Sequence, residues 1–207
     1  DIFGWLAKTA NERSFILLSF LSSFALDIAV TALLIYWLKN KYKQTLAAVG
    51  IKVGKILYDF KLGFLSYLSF LPVIFIVFIL SAVYFQKYDG GGSSQLVFYF
   101  LIFEKNPYVL TAVSLFVTVI GPFVEELFFR GLLYGSLKKS IGIFQAALAS
   151  SLVFSMLHMN LIGLLPILFL AVLLVYLYEK TGAFCVPFFV HVFHNSFILA
   201  VVLLWRK

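Results

Sequence analysis

The chain has one cysteine, Cys185, five prolines and only nine acidic residues in 207 positions. A lone cysteine excludes a secreted disulfide scaffold. Charged residues make up 12% of the chain, about half the share in an ordinary soluble domain. So little polar surface cannot cover a water-soluble globule of this size, which excludes a cytosolic enzyme. Disorder is excluded by the opposite excess: 63% of residues are hydrophobic and 19% aromatic, with 25 Phe. The net charge is +7, yet no nucleic-acid-binding motif or aromatic-interleaved basic patch accompanies it. Nucleic acid is therefore not an expected partner. No internal repeat is visible, and the strict alternation of a barrel strand is absent.

What is present is a series of long apolar runs. A membrane span needs ~20 apolar residues, and six segments meet or approach that: Ser14–Leu38, Leu62–Phe85, Tyr108–Leu137, Ile141–His158, Ile162–Tyr178 and Phe184–Trp205. The stretch Leu96–Phe103 is too short to cross and is expected at the interface or at the start of the third helix. Only helices satisfy their own backbone in lipid, so the expected fold class is all-α, a polytopic bundle of about six spans. Asp1 as first residue marks a processed or trimmed chain, or one whose true start is missing. The run Phe15–Leu38 is too long for a signal-peptide core and is expected to be retained.

The basic residues stand at the ends of these runs. Lys39, Lys41, Lys43, Lys52, Lys55 and Lys61 follow the first run against a single acid, Asp59. Lys138, Lys139 and Lys180 mark two further turns on the same side of a six-span chain. Lys8, Arg13, Lys87, Lys105, Arg206 and Lys207 fall on the other. The bias makes the 39–61 loop cytoplasmic and the 86–106 loop, with its flexible Gly90–Ser94 tract, external. Residues 1–207 then form one integral membrane domain.

Charge inside a membrane span costs roughly 2.5–3.5 kcal/mol on insertion scales and usually marks function. Here such residues are few: Asp27, Glu125, Glu126 and Arg130, with His158, His191, His194 and Asn195. Glu126 and Arg130 are i,i+4 and can pair on one face. Glu125 is turned ~100° away and has no local partner. His191 and Asn195 also share a face, whereas Asp27 has no evident partner and is read as structural or interfacial. Counted from the lysine-rich turns, Glu125 lies ~21 Å, His158 ~27 Å, and His191 and Asn195 ~14 and ~20 Å along ideal helices. Three helices thus bring them to overlapping depths, where they can surround one water-filled cavity.

Glu and His on opposite sides of a water make a general-base pair, and His with Asn supplies donors for a developing oxyanion. That combination suits amide hydrolysis by activated water. Ser155 and Ser196 lie near histidines but outside any nucleophile-elbow pattern. Glu125, His158 and His191 are legitimate zinc ligands, although no His-Glu-x-x-His helix requires a metal. A proton-coupled transporter with a Glu/His relay remains an alternative, as does a catalytically silent immunity or scaffold protein.

The residues Glu125-Glu126-Leu127-Phe128-Phe129-Arg130 resemble the Glu-Glu-x-x-x-Arg motif of the CAAX protease and bacteriocin-processing (CPBP or Abi) family of intramembrane proteases. Phe154-Ser155-Met156-Leu157-His158 is similar to its Phe-x-x-x-His motif, and His191-Val192-Phe193-His194-Asn195 to its His-x-x-x-Asn motif. His194 is extra to the pattern. The resemblance covers the second half of the chain and implies a catalytic core over 107–207. It implies that Glu125 and His158 activate water, His191 and Asn195 form the oxyanion site, and Glu126 and Arg130 shape it. It leaves open a metal-dependent or a metal-free glutamate mechanism. The implied substrate is a peptide or protein, prenylated in CAAX-type members, and the composition points to a bacterial cell membrane.

Overall fold

The computed structural model describes residues 12–52, 55–85, 100–102 and 104–204, and among them there is no strand. Six apolar helices form the bundle: α1 (Glu12–Tyr36), α2 (Ile56–Phe85), α3 (Pro107–Ile141), α4 (Ile143–Leu157), α5 (Leu164–Thr181) and α6 (Cys185–Leu204). All but α4 are long and apolar enough to cross a bilayer, so the chain is a multi-pass integral membrane protein. The expected fourth span is the exception. At 15 residues it runs about 22 Å, short of the ~30 Å hydrocarbon core.

Local chemistry sets the helix ends. Asn106 caps α3 by accepting from the backbone N–H groups of Tyr108 and Val109, with Pro107 in the first turn, where its missing N–H costs nothing. The second helix starts at Ile56, before the expected Leu62, and places Asp59 in its first turn, where a carboxylate complements the helix dipole. Helix α4 stops because Met159 takes a left-handed φ of 47°. The turn that follows exposes carbonyls that lipid cannot satisfy. Side chains bond to carbonyls in the turn and in the helix ends beside it: Ser81 Oγ donates to Ile162 O, His158 Nδ1 to Phe154 O of α4 and Ser155 Oγ to Leu164 O of α5.

The three lysine-rich connectors meet at one end of the bundle. Lys138 and the Tyr134 hydroxyl, both from α3, donate to Glu179 of α5 at 2.9 and 2.7 Å. The loop after α1 docks beside them, with Phe184 N donating to Gly50 O at 2.9 Å. Gly50 has φ 79°, and a Cβ there would lie 2.9 Å from Phe184 N, so glycine is demanded twice over. Lys61, expected in the loop, lies within α2.

Helix α6 packs most extensively on α2, and α4 on α5, while α1 lies along the middle of α3. The α2–α6 approach is closest at Gly63, where a Cβ would sit 2.9 Å from Phe189 Cβ. Small residues allow such contacts between membrane helices. Phe100 and Leu101 are buried against Val113, with Leu17 and Phe20 of α1 packed on them. This part of the 96–103 stretch therefore belongs to the bundle core. The rest of that stretch, the Gly90–Ser94 tract and the basic residues Lys8, Lys87, Arg206 and Lys207 lie outside the described residues.

Candidate active site

The second half of the site's architecture comes from α3, which is not a uniform α-helix. One short α-helical segment, Gly121–Glu126, is flanked by π-helical segments at Phe116–Ile120 and Leu127–Tyr134. Pro122 cannot donate a helix hydrogen bond and crowds the preceding turn. The widened turn before it, closed by Gly121 N donating to Phe116 O, accommodates that ring. Such π segments often occur at functional sites because they rotate the side chains that follow. Glu125 and Glu126 are the last residues of the short α segment.

Glu126 is fully buried, and its Oε1 accepts from Arg130 Nη1 and from His191 Nδ1, each at 2.9 Å. The expected Glu126–Arg130 pair is therefore present, and it is extended into a relay that reaches α6. A carboxylate oxygen accepts, so Nδ1 of His191 carries a proton and Nε2 is directed elsewhere. It faces Glu125, 3.7 Å from Oε2, which is beyond hydrogen-bonding distance. Glu125 Oε2 consequently has no hydrogen-bond partner among the described residues, although its side chain is 38% exposed. A Cβ on Gly121 would lie 4.0 Å from Glu125 Oε1, so that glycine leaves room beside the carboxylate.

Phe154 joins the remaining parts. Its ring, 1% exposed, lies 4.7 Å from the His158 ring and 5.8 Å from the His191 ring, centroid to centroid. The Arg130 guanidinium sits 4.6 Å over the same ring, a cation–π contact. Phe154 thus packs against residues of all three motifs, a role its spacing from His158 could not reveal. His158 Nδ1 donates to Phe154 O at 2.8 Å, so its Nε2 is the acceptor nitrogen of the ring. Phe154→Leu should lower stability by about 1 kcal/mol, the worth of an aromatic pairing. The loss would be read as a reduced melting temperature in detergent.

Asn195 faces the same helix but is already engaged: its Nδ2 donates to Val117 O in the first π segment at 2.9 Å. One amide N–H remains for other use. Asp27 of α1 is not the isolated acid its sequence position implied. It is half-buried and close enough to Glu125 for their charges to interact. His194 meets Tyr67 of α2 edge to face at 5.9 Å, and both His194 Nδ1 and the Tyr67 hydroxyl are buried without partners.

Among the described residues, no three His, Cys, Asp or Glu side chains are grouped as a metal ion needs. Glu125, His158 and His191, the residues that would hold a metal if one were bound, are not grouped as three ligands here. Both histidines donate Nδ1–H to protein acceptors, the orientation in which Nε2 is the ligating nitrogen, and Glu125 Oε2 lies 3.7 Å from Nε2 of His191.

Residues 107–197 match the family described as type II CAAX prenyl endopeptidase Rce1-like. Two relatives are similar to this chain. YdiL of Bacillus subtilis (strain 168), by its name a membrane peptidase, is 33% identical over 98 residues, 46% of this chain and 40% of that protein. The membrane-embedded CAAX protease MroQ of Staphylococcus aureus (strain USA300) is 27% identical over 185 residues, 86% of this chain and 71% of that protein. The chain therefore spans well under half the length of YdiL. No solved structure matches. The matched region contains all three motifs, from Glu125 to Asn195. Through residues 107–197 the chain is similar to the type II CAAX prenyl endopeptidase Rce1-like family.

Proposed function

We propose that the chain is an intramembrane endopeptidase that hydrolyses a peptide bond by direct attack of water. Glu125 takes the proton of the attacking water, and His158 holds that water through Nε2. His191, carrying a proton on both ring nitrogens and donating from Nε2–H, and Asn195, through its remaining amide N–H, face the carbonyl oxygen where charge develops. Glu126 and Arg130 hold His191 in place and do not touch substrate. The collapse of the tetrahedral intermediate returns the proton from Glu125 to the leaving amine, so that one water is consumed per bond cleaved.

The observation that carries this reading is the division within the Glu-Glu pair. Arg130 and His191 both bind Glu126, while Glu125 Oε2 has no partner and its side chain is partly open. A carboxylate left uncommitted beside two histidine-bearing helices is suited to proton transfer. The substrate is a peptide or a membrane protein, and prenylation belongs to the CAAX-type version of the reaction.

The test uses purified protein in detergent with a panel of peptides, prenylated and unprenylated. The parent should cleave, and His158→Ala should not, while keeping a folded, monodisperse form. Loss of the bond to Phe154 O should lower stability by only about 1 kcal/mol. Cleavage by His158→Ala at the parental rate would remove His158 from the mechanism. A folded parent that cleaves nothing in the panel would count against proteolysis.

A further inference from the structure

At the lysine-rich end, the bundle carries an apolar pocket unrelated to the site above. Leu34, Trp37 and Leu38 of the α1 end, Tyr42 and Val49 of the following loop, and Leu127 of α3 are among the residues that line it. Its mouth is basic. The π-helical turn Trp37–Lys41 ends α1, and Lys43 then takes a left-handed φ of 52°. Lys39, Lys41 and Lys43 are all exposed on this turn. Lys41 Nζ lies 5.6 Å over the rings of both Trp37 and Tyr42, which line the pocket. An ammonium is thereby fixed at its rim.

These cations have no counter-charge in the fold. None of the three makes an ion pair among the described residues. Asp59, the one acid between residues 39 and 61, is buried, with Lys55 as its cationic neighbour. A ligand that answers both halves of the site has an apolar tail and an anionic head. A neutral lipid satisfies only the pocket, and a free anion only the rim.

We propose that this pocket binds an anionic phospholipid of the surrounding bilayer, with an acyl chain against Leu34, Leu38 and Leu127 and its phosphate at Lys39, Lys41 and Lys43. A single lysine near an anionic lipid surface is worth about a fivefold preference, so the three lysines give at least that selection of anionic over neutral lipid. The proposal does not depend on proteolysis.

Trp37, 42% exposed, is a built-in reporter. With Trp5 and Trp205 changed to Phe, it is the only tryptophan left of three. This protein would be placed in phosphatidylcholine nanodiscs doped with either brominated phosphatidylglycerol or brominated phosphatidylcholine. Half-maximal quenching should require an about fivefold lower mole fraction of the anionic lipid. Combined Lys39→Gln, Lys41→Gln and Lys43→Gln should abolish that preference, and Leu46→Phe, which crowds the pocket, should reduce it in protein with intact lysines. Equal quenching by the two lipids would overturn the proposal. So would a preference that survives the lysine changes. A preference that survives in a folded Leu46→Phe protein would also overturn it, by reducing the site to surface attraction.

Discussion

Glu125→Gln should abolish peptide hydrolysis and leave the protein at least as stable as the parent. The carboxylate is 3.7 Å from His191 Nε2, its Oε2 has no partner, and Asp27 adds a second negative charge nearby. Glutamine has the same shape but cannot take a proton from water. Loss of a general base costs about 10²–10⁴-fold in rate, enough to take turnover below detection. Stability should hold or rise because the substitution removes a partly desolvated charge and its repulsion with Asp27. Melting temperature and turnover measured in one detergent separate the two effects. A Glu125→Gln protein that unfolds, or one that cleaves normally, would contradict the assignment.

Glu126→Gln should give the opposite pattern. Glu126 and Arg130 are 0% and 1% exposed, and one oxygen, Oε1, holds both Arg130 and His191. Without the negative charge, Arg130 keeps its 3.4 Å bond to Ala171 O and its places over the Phe154 and Phe129 rings. Breaking one side of a buried ion pair costs about 3–5 kcal/mol, more than the pair contributes net. The variant should accumulate poorly and melt early, with reduced but measurable turnover per folded molecule, since His191 loses its orientation but Glu125 remains. If Glu126→Gln were stable and inactive while Glu125→Gln was unstable, the two glutamates would have exchanged roles.

What was legible in the sequence follows from what is local. Apolar runs reveal helices because lipid leaves the backbone no other solution. The Glu126–Arg130 pair was visible because both residues sit on one helix, four apart. The meeting of the lysine-rich connectors at one end was visible from the placement of lysines at the ends of alternate apolar runs. Long-range register was not. His191 reaches Glu126 across 65 positions, and Asn195 reaches Val117 O across 78. Both contacts depend on where α3 turns π-helical, which single-residue spacing does not encode. The partnership of Asp27 with Glu125 was hidden for the same reason, since it depends on how α1 lies along α3. Helix α4 ends early because of a left-handed Met159 and a turn whose carbonyls, with those of the helix ends beside it, are held by three side chains. Hydropathy carries no signal for that. Residue type alone named Glu125, His158 and His191 as possible zinc ligands, and it carried no sign that the two histidines would donate Nδ1–H to Phe154 O and to Glu126.

Direct attack of water can be tested on the products. Purified parent protein is incubated with a cleaved peptide in the presence and absence of hydroxylamine, and every fragment is weighed by mass spectrometry. The two fragments should sum to the substrate plus one water, and the new C-terminus should be a free acid under both conditions. A C-terminal hydroxamate would reveal an acyl-enzyme and contradict a Glu125-activated water.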